Sequence, residues 1–251
     1  MNKLFKMEFA NLKKEKLLWI GLIIILSLVL LFNLLFLLYR YVNGVPDYAL
    51  FSNLTFNATL GIGGITGNIG LIMLIIVLLH NFQYGTIRSQ ITVGYSRTEI
   101  FFSNLIICLA LGLGIYLISI LFSLGISILF FSGASLVFST VIKSILYGLL
   151  INALVICFIC FIAFSTASMW VTIIVTVAIN ALTSTITAIT AFISGFSNVT
   201  FINFLPWVQI TYIQQGGVDV LKWWQVVPVN IVLSGLLIYF TILIFKKKDI
   251  K

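Results

Sequence analysis

Hydrophobic positions in this chain are grouped into long runs that are separated by short polar stretches. Six of these runs are long enough to cross a bilayer as helices, since a span needs about 20 residues. They cover residues 17–39, 60–80, 101–131, 144–164, 169–194 and 226–245. Backbone polar groups in lipid must be satisfied within their own segment, so each run should be a helix. The pattern predicts an all-α polytopic membrane protein whose residues 1–251 form a single transmembrane domain.

Two segments outside these runs are also apolar enough to contact the membrane. Residues 1–16 place Phe5, Phe9 and Leu12 at helical spacing and lysines on another side, which favours an interfacial elbow helix. A disordered basic tail is the alternative for this segment. The loop 195–225 is unusually apolar, so it should either re-enter the outer leaflet as short broken helices or pack on the membrane surface.

Composition and charge support a membrane environment and indicate an orientation. Hydrophobic residues make up 61% of the 251 residues and charged residues only 8%, against about a quarter in soluble domains. The formal net charge is +8, but the basic residues flank apolar runs, which favours a topology signal and anionic lipid over nucleic acid. Eleven of the 14 lysines and arginines fall on the side that holds both termini. We therefore expect a multi-pass plasma membrane protein with both termini in the cytoplasm.

The chemistry that the sequence lacks excludes several functions. No G-x-x-x-x-G-K-[ST] phosphate loop and no HExxH motif occur, so we expect no catalytic residue and no bound cofactor. Cys108, Cys157 and Cys160 lie inside apolar runs without a histidine partner, so we expect no metal site. All six acidic residues lie outside the runs, whereas proton-coupled or sodium-coupled transporters need ionisable groups at membrane depth. A secondary transporter is therefore disfavoured.

The fifth run carries a regular polar stripe. Its members follow at steps of three and four residues, which keeps them on one helix face: Thr172, Thr176, Asn180, Thr183, Thr187, Thr190 and Ser194. A polar face should avoid lipid, so the stripe predicts a translocation pathway or a dimer seam. The alternative is that the hydroxyl groups bond to their own helix and pack against a neighbouring helix.

The polar stretch between the second and third runs, residues 82–99, resembles a known signature. Tyr84-Gly-Thr-Ile-Arg88, followed by Tyr95-Ser-Arg97, is similar to the GTI-(K/R) and SR pattern of ABC exporter permeases of the type-2 class. The small six-helix permeases for bacteriocin, bacitracin or amphipathic-peptide export and immunity look most similar. The basic ending Phe245-Lys-Lys-Lys-Asp-Ile250 also resembles theirs, so the resemblance covers the whole chain.

This resemblance implies a permease that is paired with a second copy or a paralogous permease. The pair would bind cytoplasmic ABC ATPase subunits, which hold the ATP and Mg²⁺, and would export an amphipathic peptide or a lipid-like solute from the bilayer. Residues 82–99 would be the coupling helix seated in a groove of the ATPase, with the two arginines near acidic groups. The implied coupling residues are Gln83, Tyr84, Gly85, Thr86, Ile87, Arg88, Tyr95, Ser96, Arg97 and Glu99. A membrane immunity or assembly protein that transports nothing is the alternative function.

Overall fold

A computed structural model describes the protein over five continuous segments and several isolated positions. The described residues are 7, 9, 10, 16–43, 65–83, 86–130, 138–192, 204, 206, 208, 209, 213 and 221–247. Every regular element in these ranges is helical. The longer helices are α1 (Lys16–Asn43), α2 (Ile65–Gln83), α4 (Arg97–Phe130), α5 (Phe138–Thr166), α6 (Met169–Phe192) and α7 (Trp223–Lys247), and the short helix α3 covers Thr86–Thr92.

Three of these helices contain segments that are long and apolar enough to cross a membrane. The segments are Arg97–Ile126 on α4, Val141–Thr166 on α5 and Trp223–Lys247 on α7, with mean hydropathies of 2.8, 2.7 and 2.2. Shorter apolar stretches lie on α1, α2 and α6. A helical chain with several such segments is a polytopic membrane protein, as the hydrophobic pattern predicts.

The helices form one bundle in which α4, α5 and α7 pack closely together. Helix α7 lies mainly along α5 and α5 along α4, while α1 packs on α2 and α4, and α6 packs on α2 and α5. The buried core runs between α2, α4, α5 and α7, and it includes Ile87 from α3 and all three free cysteines. Helices α5 and α6 are joined by only two residues, of which Ala167 adopts a left-handed φ of 54°.

Small residues allow the closest approaches between these helices. At Gly112 of α4 an added Cβ would lie 2.6 Å from Cδ1 of Ile156 on α5. At Gly148 of α5 it would meet the hydroxyl group and ring of Tyr116 on α4. The Tyr116 hydroxyl donates across the same contact to the carbonyl oxygen of Ser144, 3.4 Å away. Both glycines lie where α4 and α5 approach each other closely, as small residues do between membrane helices.

Two predicted membrane-contacting segments fall largely outside the described residues. In the segment 1–16, helical backbone is described at Met7, Phe9 and Ala10, and all three side chains are exposed. In the loop 195–225, Pro206, Val208, Gln209 and Ile213 are helical and buried. The elbow helix and the re-entrant loop stay predictions.

Candidate functional site

The short helix α3 turns its apolar side toward this chain. Ile87 and Gln90 are 1% and 5% exposed, and Ile91 and Tyr95 pack partly buried against the core. In the structure this side of α3 is therefore packed within the subunit, and the contact of residues 82–99 with a groove of the ATPase stays a prediction. Burial against α2 and α4 removes these side chains from water within the subunit itself.

The opposite side of α3 is left free of the bundle and is mostly polar. Arg88, Ser89, Thr92 and Val93 are exposed, and Val93 reaches 76%. We call these four residues the outer face of α3. It presents one positive charge, two hydroxyl groups and one apolar side chain at the end of the bundle where α2 ends and α4 begins.

A glycine ends α3 in a defined geometry. Gly94 has a φ of 101°, in the left-handed region that side chains disfavour. Its N–H donates to the carbonyl oxygen of Ile91 at 3.0 Å, and the N–H of Tyr95 donates to that of Gln90 at 3.2 Å. This pair of bonds is the Schellman arrangement, which satisfies the last carbonyl groups of a helix. The geometry fixes where the chain leaves α3 for α4.

Helix α4 begins with a capping box formed by Ser96 and Glu99. The Ser96 N–H donates to Oε2 of Glu99 at 3.0 Å, and the Glu99 N–H donates to Oγ of Ser96 at 3.2 Å. Each side chain thereby satisfies a backbone donor that the first helical turn leaves unpaired. The backbone N–H and the hydroxyl group of Ser96 hold the pKa of Glu99 below its ordinary value of 4.5. Because the folded pKa is lowered, ionised Glu99 stabilises the start of α4 above pH 4.5, and this contribution is lost as the pH falls through the folded value.

We expect Ser96→Ala to raise the pKa of Glu99 toward 4.5, because both donors of the cap are weakened or removed. The substitution should also destabilise the start of α4 by about 1 kcal/mol. Carboxyl NMR of selectively labelled glutamate, followed over pH, measures the first effect. Ser89→Ala is a matched control, since the Ser89 hydroxyl bonds to the Thr86 carbonyl group inside α3 instead. An unchanged Glu99 titration in Ser96→Ala would contradict the capping box.

Arg97 follows the cap residue and contacts the far end of the chain. Its Nη1 donates to the carbonyl oxygen of Phe245 at 3.1 Å and to that of Lys246 at 2.8 Å. These carbonyl groups belong to the last turn of α7, where helical acceptors lack partners and a cation is favoured. The sequence implied that Arg97 faces acidic groups of a partner protein, whereas in the structure the guanidinium bonds within the chain. We call these two bonds the Arg97 clamp.

The remaining coupling residues are described in part. Thr86 and Arg88 lie on α3, and Gln83 is the last residue of α2, although its side chain is not among those described. Tyr84 and Gly85, the first two residues of the signature, lie outside the described residues.

The polar stripe is described at its first two members, and both are buried. Thr172 and Thr176 are 0% and 5% exposed. Their hydroxyl groups donate to the carbonyl oxygens of Ser168 at 2.8 Å and of Thr172 at 2.7 Å, one turn earlier on the chain. At these two positions the hydroxyl groups bond to their own helix and pack inside the subunit. The side chains of Asn180, Thr183, Thr187, Thr190 and Ser194 are outside the described set, so a pathway or seam there stays a prediction.

The opposite side of α6 is apolar and faces away from the bundle. Trp170 and Ile174 are 71% and 63% exposed, and Val177 is also exposed. Such side chains are suited to lipid or to another membrane helix. Helix α6 therefore has the two-sided character that the stripe predicts, at least over its first three turns.

Sequence reasoning missed a buried amide cluster at the end of the bundle opposite α3. Asn230 Nδ2 donates to Oε1 of Gln209 at 2.8 Å, and Gln209 Nε2 donates to the carbonyl oxygen of Gln225 at 3.3 Å. All three side chains are 2% exposed or less. Asn230 was recognisable as an amide inside an apolar run, a residue type that commonly bonds across helices in membranes. Its partner Gln209 could not be identified, because it lies 21 residues away in another part of the chain.

Comparison with known proteins adds one match to this geometry. The family model described as ABC-2 family transporter protein matches residues 4–183, which include α3, the capping box and the first part of the stripe. No curated protein matches the chain significantly.

Proposed function

The chain belongs to the ABC-2 family of transporter proteins, and from this premise we propose that it exports an amphipathic peptide or another hydrophobic solute. Members of this family are permease subunits of ABC transporters, which associate with an ABC ATPase and are not catalytic themselves. Export would be powered by separate cytoplasmic ATPase subunits that bind ATP and Mg²⁺. The solute would leave the cell or its membrane through a pair of permease subunits.

The outer face of α3 is exposed, whereas its inner side is buried in the core, and this observation supports the proposed function. Ile87 is 1% exposed and Val93 is 76% exposed, six residues along the chain. A force on the outer face is thereby transmitted to the bundle, because the helix cannot move without its buried side chains. This is what a contact with a moving ATPase requires of a permease.

The proposed arrangement has six spans with both termini in the cytoplasm of a bacterial cell. Besides α4, α5 and α7, the helices α1, α2 and α6 would cross the membrane. The excess of lysine and arginine at the termini and at Arg88 and Arg97 supports this orientation. The outer face of α3 then lies on the cytoplasmic side, where ATP is available.

The near absence of charge in the apolar runs favours a partly apolar solute. All acidic residues lie near or beyond the ends of the apolar runs, and α6 carries hydroxyl groups on one side. Such a surface cannot offset the charge of a small ion, but it can contact a molecule that is itself partly apolar. A peptide with both polar and apolar sides meets this requirement.

Purification of the tagged permease from its native host tests the function. We expect an ABC ATPase to co-purify, and the reconstituted complex to move fluorescently labelled bacitracin across proteoliposomes when ATP is added. ATP without Mg²⁺ is the control, since the ATPase needs the metal. A permease that protects cells from the peptide but recovers no ATPase would favour the immunity or assembly function instead.

Cysteine substitutions along α6 test the pathway or seam. Thr183→Cys and Thr187→Cys should cross-link to a second copy or react with a polar thiol reagent, since a polar side should meet water or a partner. Ile174→Cys and Val177→Cys on the apolar side should react several-fold less. Equal reaction on both sides would reduce the stripe to hydroxyl groups that bond to their own helix.

A further inference from the structure

The two ends of α7 are each attached to a different part of the chain. At the α3 end, the Arg97 clamp bonds to the carbonyl groups of Phe245 and Lys246. At the other end, Asn230 bonds to Gln209, which precedes α7 in the chain. Helix α7 between them is a continuous helix from Trp223 to Lys247.

Aromatic packing reinforces the Arg97 clamp. The rings of Phe101 and Phe164 are 5.1 Å apart between centroids, and those of Phe164 and Phe245 are 4.9 Å apart, both edge to face. All three side chains are at most 1% exposed. Phe101 lies one helical turn after Arg97, and Phe245 supplies a carbonyl group to the clamp. The first turns of α4 and the last turns of α5 and α7 are therefore joined by both polar and apolar contacts.

The amide cluster attaches the other end of α7 with comparable burial. Gln209 is 0% exposed and Asn230 is 1% exposed, so water does not compete for their hydrogen bond. Asn230 Nδ2 also donates to the carbonyl oxygen of Val226 at 2.6 Å, which holds the amide in one orientation. Neighbouring Val208 and Ile213 are buried as well, so the segment around Gln209 is packed on the bundle.

We propose that Arg97 is a positioning residue that fixes α7 to the start of α4, so that displacement of α3 is carried along α7 to the segment around Gln209. This rests on the proposed function, in which an ATPase moves α3. Arg97 itself does not contact the ATPase; that contact belongs to Arg88 on the outer face of α3. The segment around Gln209 then moves with α7 at the far side of the membrane.

The chemistry of arginine suits this role. Its guanidinium is charged at every physiological pH and offers five donors in a fixed plane, which lets one nitrogen serve two adjacent carbonyl groups. Lysine would present a more strongly hydrated point charge on a flexible stem. Residues 93–96 connect α3 to α4 and contain both Gly94 of the Schellman arrangement and Ser96 of the capping box. Because these hydrogen bonds fix the short connection, Arg97 should follow a displacement of α3 closely.

A distance measurement tests the fixation without any substrate or ATPase. Nitroxide labels on Phe102→Cys and Lys247→Cys, near the clamp and away from the outer face of α3, should give one narrow distance distribution in nanodiscs. Arg97→Gln should broaden or shift that distribution, while Arg88→Gln should leave it unchanged. A distribution that is equally narrow in Arg97→Gln would overturn the proposal.

The same labels in the complex with its ATPase test the transmission. The distance should stay constant when the complex is trapped with ATP and vanadate, because the start of α4 and the end of α7 move together. A clear change in distance on trapping would show that they separate, and the proposal would fail. If no ATPase co-purifies, the proposed function fails, while the nanodisc measurement still decides whether Arg97 fixes α7.

ATPase binding and transport per ATP should differ between the variants Arg97→Gln and Arg88→Gln. In Arg97→Gln, the ratio of bound ATPase subunit to permease should stay within about twofold of the wild-type ratio. The same variant should transport several-fold less labelled bacitracin for each ATP hydrolysed. Asn230→Leu, at the other end of α7, should show the same combination. Loss of ATPase from Arg97→Gln as strong as from Arg88→Gln would overturn the proposal, since Arg97 would then contact the ATPase directly. Normal transport per ATP in Arg97→Gln would overturn it as well.

Discussion

Gly148→Leu should prevent most of the protein from folding in the membrane. A Cβ atom at position 148 already meets the ring and hydroxyl group of Tyr116, which is itself only 6% exposed. The ring cannot leave without separating α4 from α5 or breaking its bond to Ser144. Overpacking of this kind costs about 1–3 kcal/mol and occasionally more, and we expect a value at the upper end of that range. The yield of monodisperse protein and its melting temperature in detergent measure the effect.

Two companion variants separate packing from the general effect of a larger side chain. An added Cβ at Gly125, on the neighbouring helix α4, meets no atom within 4 Å, so Gly125→Leu should be nearly neutral or slightly stabilising. Tyr116→Ala combined with Gly148→Leu should recover part of the loss, because the removed ring leaves space for the new side chain. If Gly148→Leu and Gly125→Leu behave alike, the close contact between α4 and α5 is refuted.

Arg88→Glu should disconnect the permease from its ATPase while leaving the bundle folded. Arg88 lies on the outer face of α3, and its guanidinium is exposed. If the ATPase meets it with acidic groups, as the resemblance implies, reversal of the charge replaces attraction by repulsion. We expect at least a tenfold loss of bound ATPase, equivalent to about 1.4 kcal/mol. The ratio of ATPase to permease after tag purification measures this loss, and it should depend on salt concentration.

Lys222→Glu is the matched control for this charge reversal. Lys222 is also exposed, but it lies at the opposite end of the bundle, beside the start of α7. It should change neither ATPase retention nor the yield of folded protein. An ATPase that binds and couples normally to Arg88→Glu would exclude the outer face of α3 as the contact.

Residues 82–99 contain both features that local sequence can specify and features that it cannot. Local signals in this segment depend on short-range geometry: Ser96 and Glu99 have capping-box spacing, and Gly94 can adopt the left-handed conformation that ends α3. The direction of the apolar side is a tertiary property. Ile87 and Ile91 could have packed on a partner or on the same chain, and their spacing is identical in both cases.

The pattern of apolar runs by itself determined that this protein is helical and spans the membrane, because lipid requires internal backbone bonding in every long apolar segment. The signature around Arg88 likewise indicated the transporter family, which the match over residues 4–183 then confirmed. Only the tertiary structure decided the partners of individual polar side chains. Arg97 reaches carbonyl groups 148 and 149 residues away, and Asn230 reaches the side chain of Gln209, 21 residues away. Such contacts arise from the order in which helices pack, and helices of nearly uniform apolar composition carry little sequence information about that order.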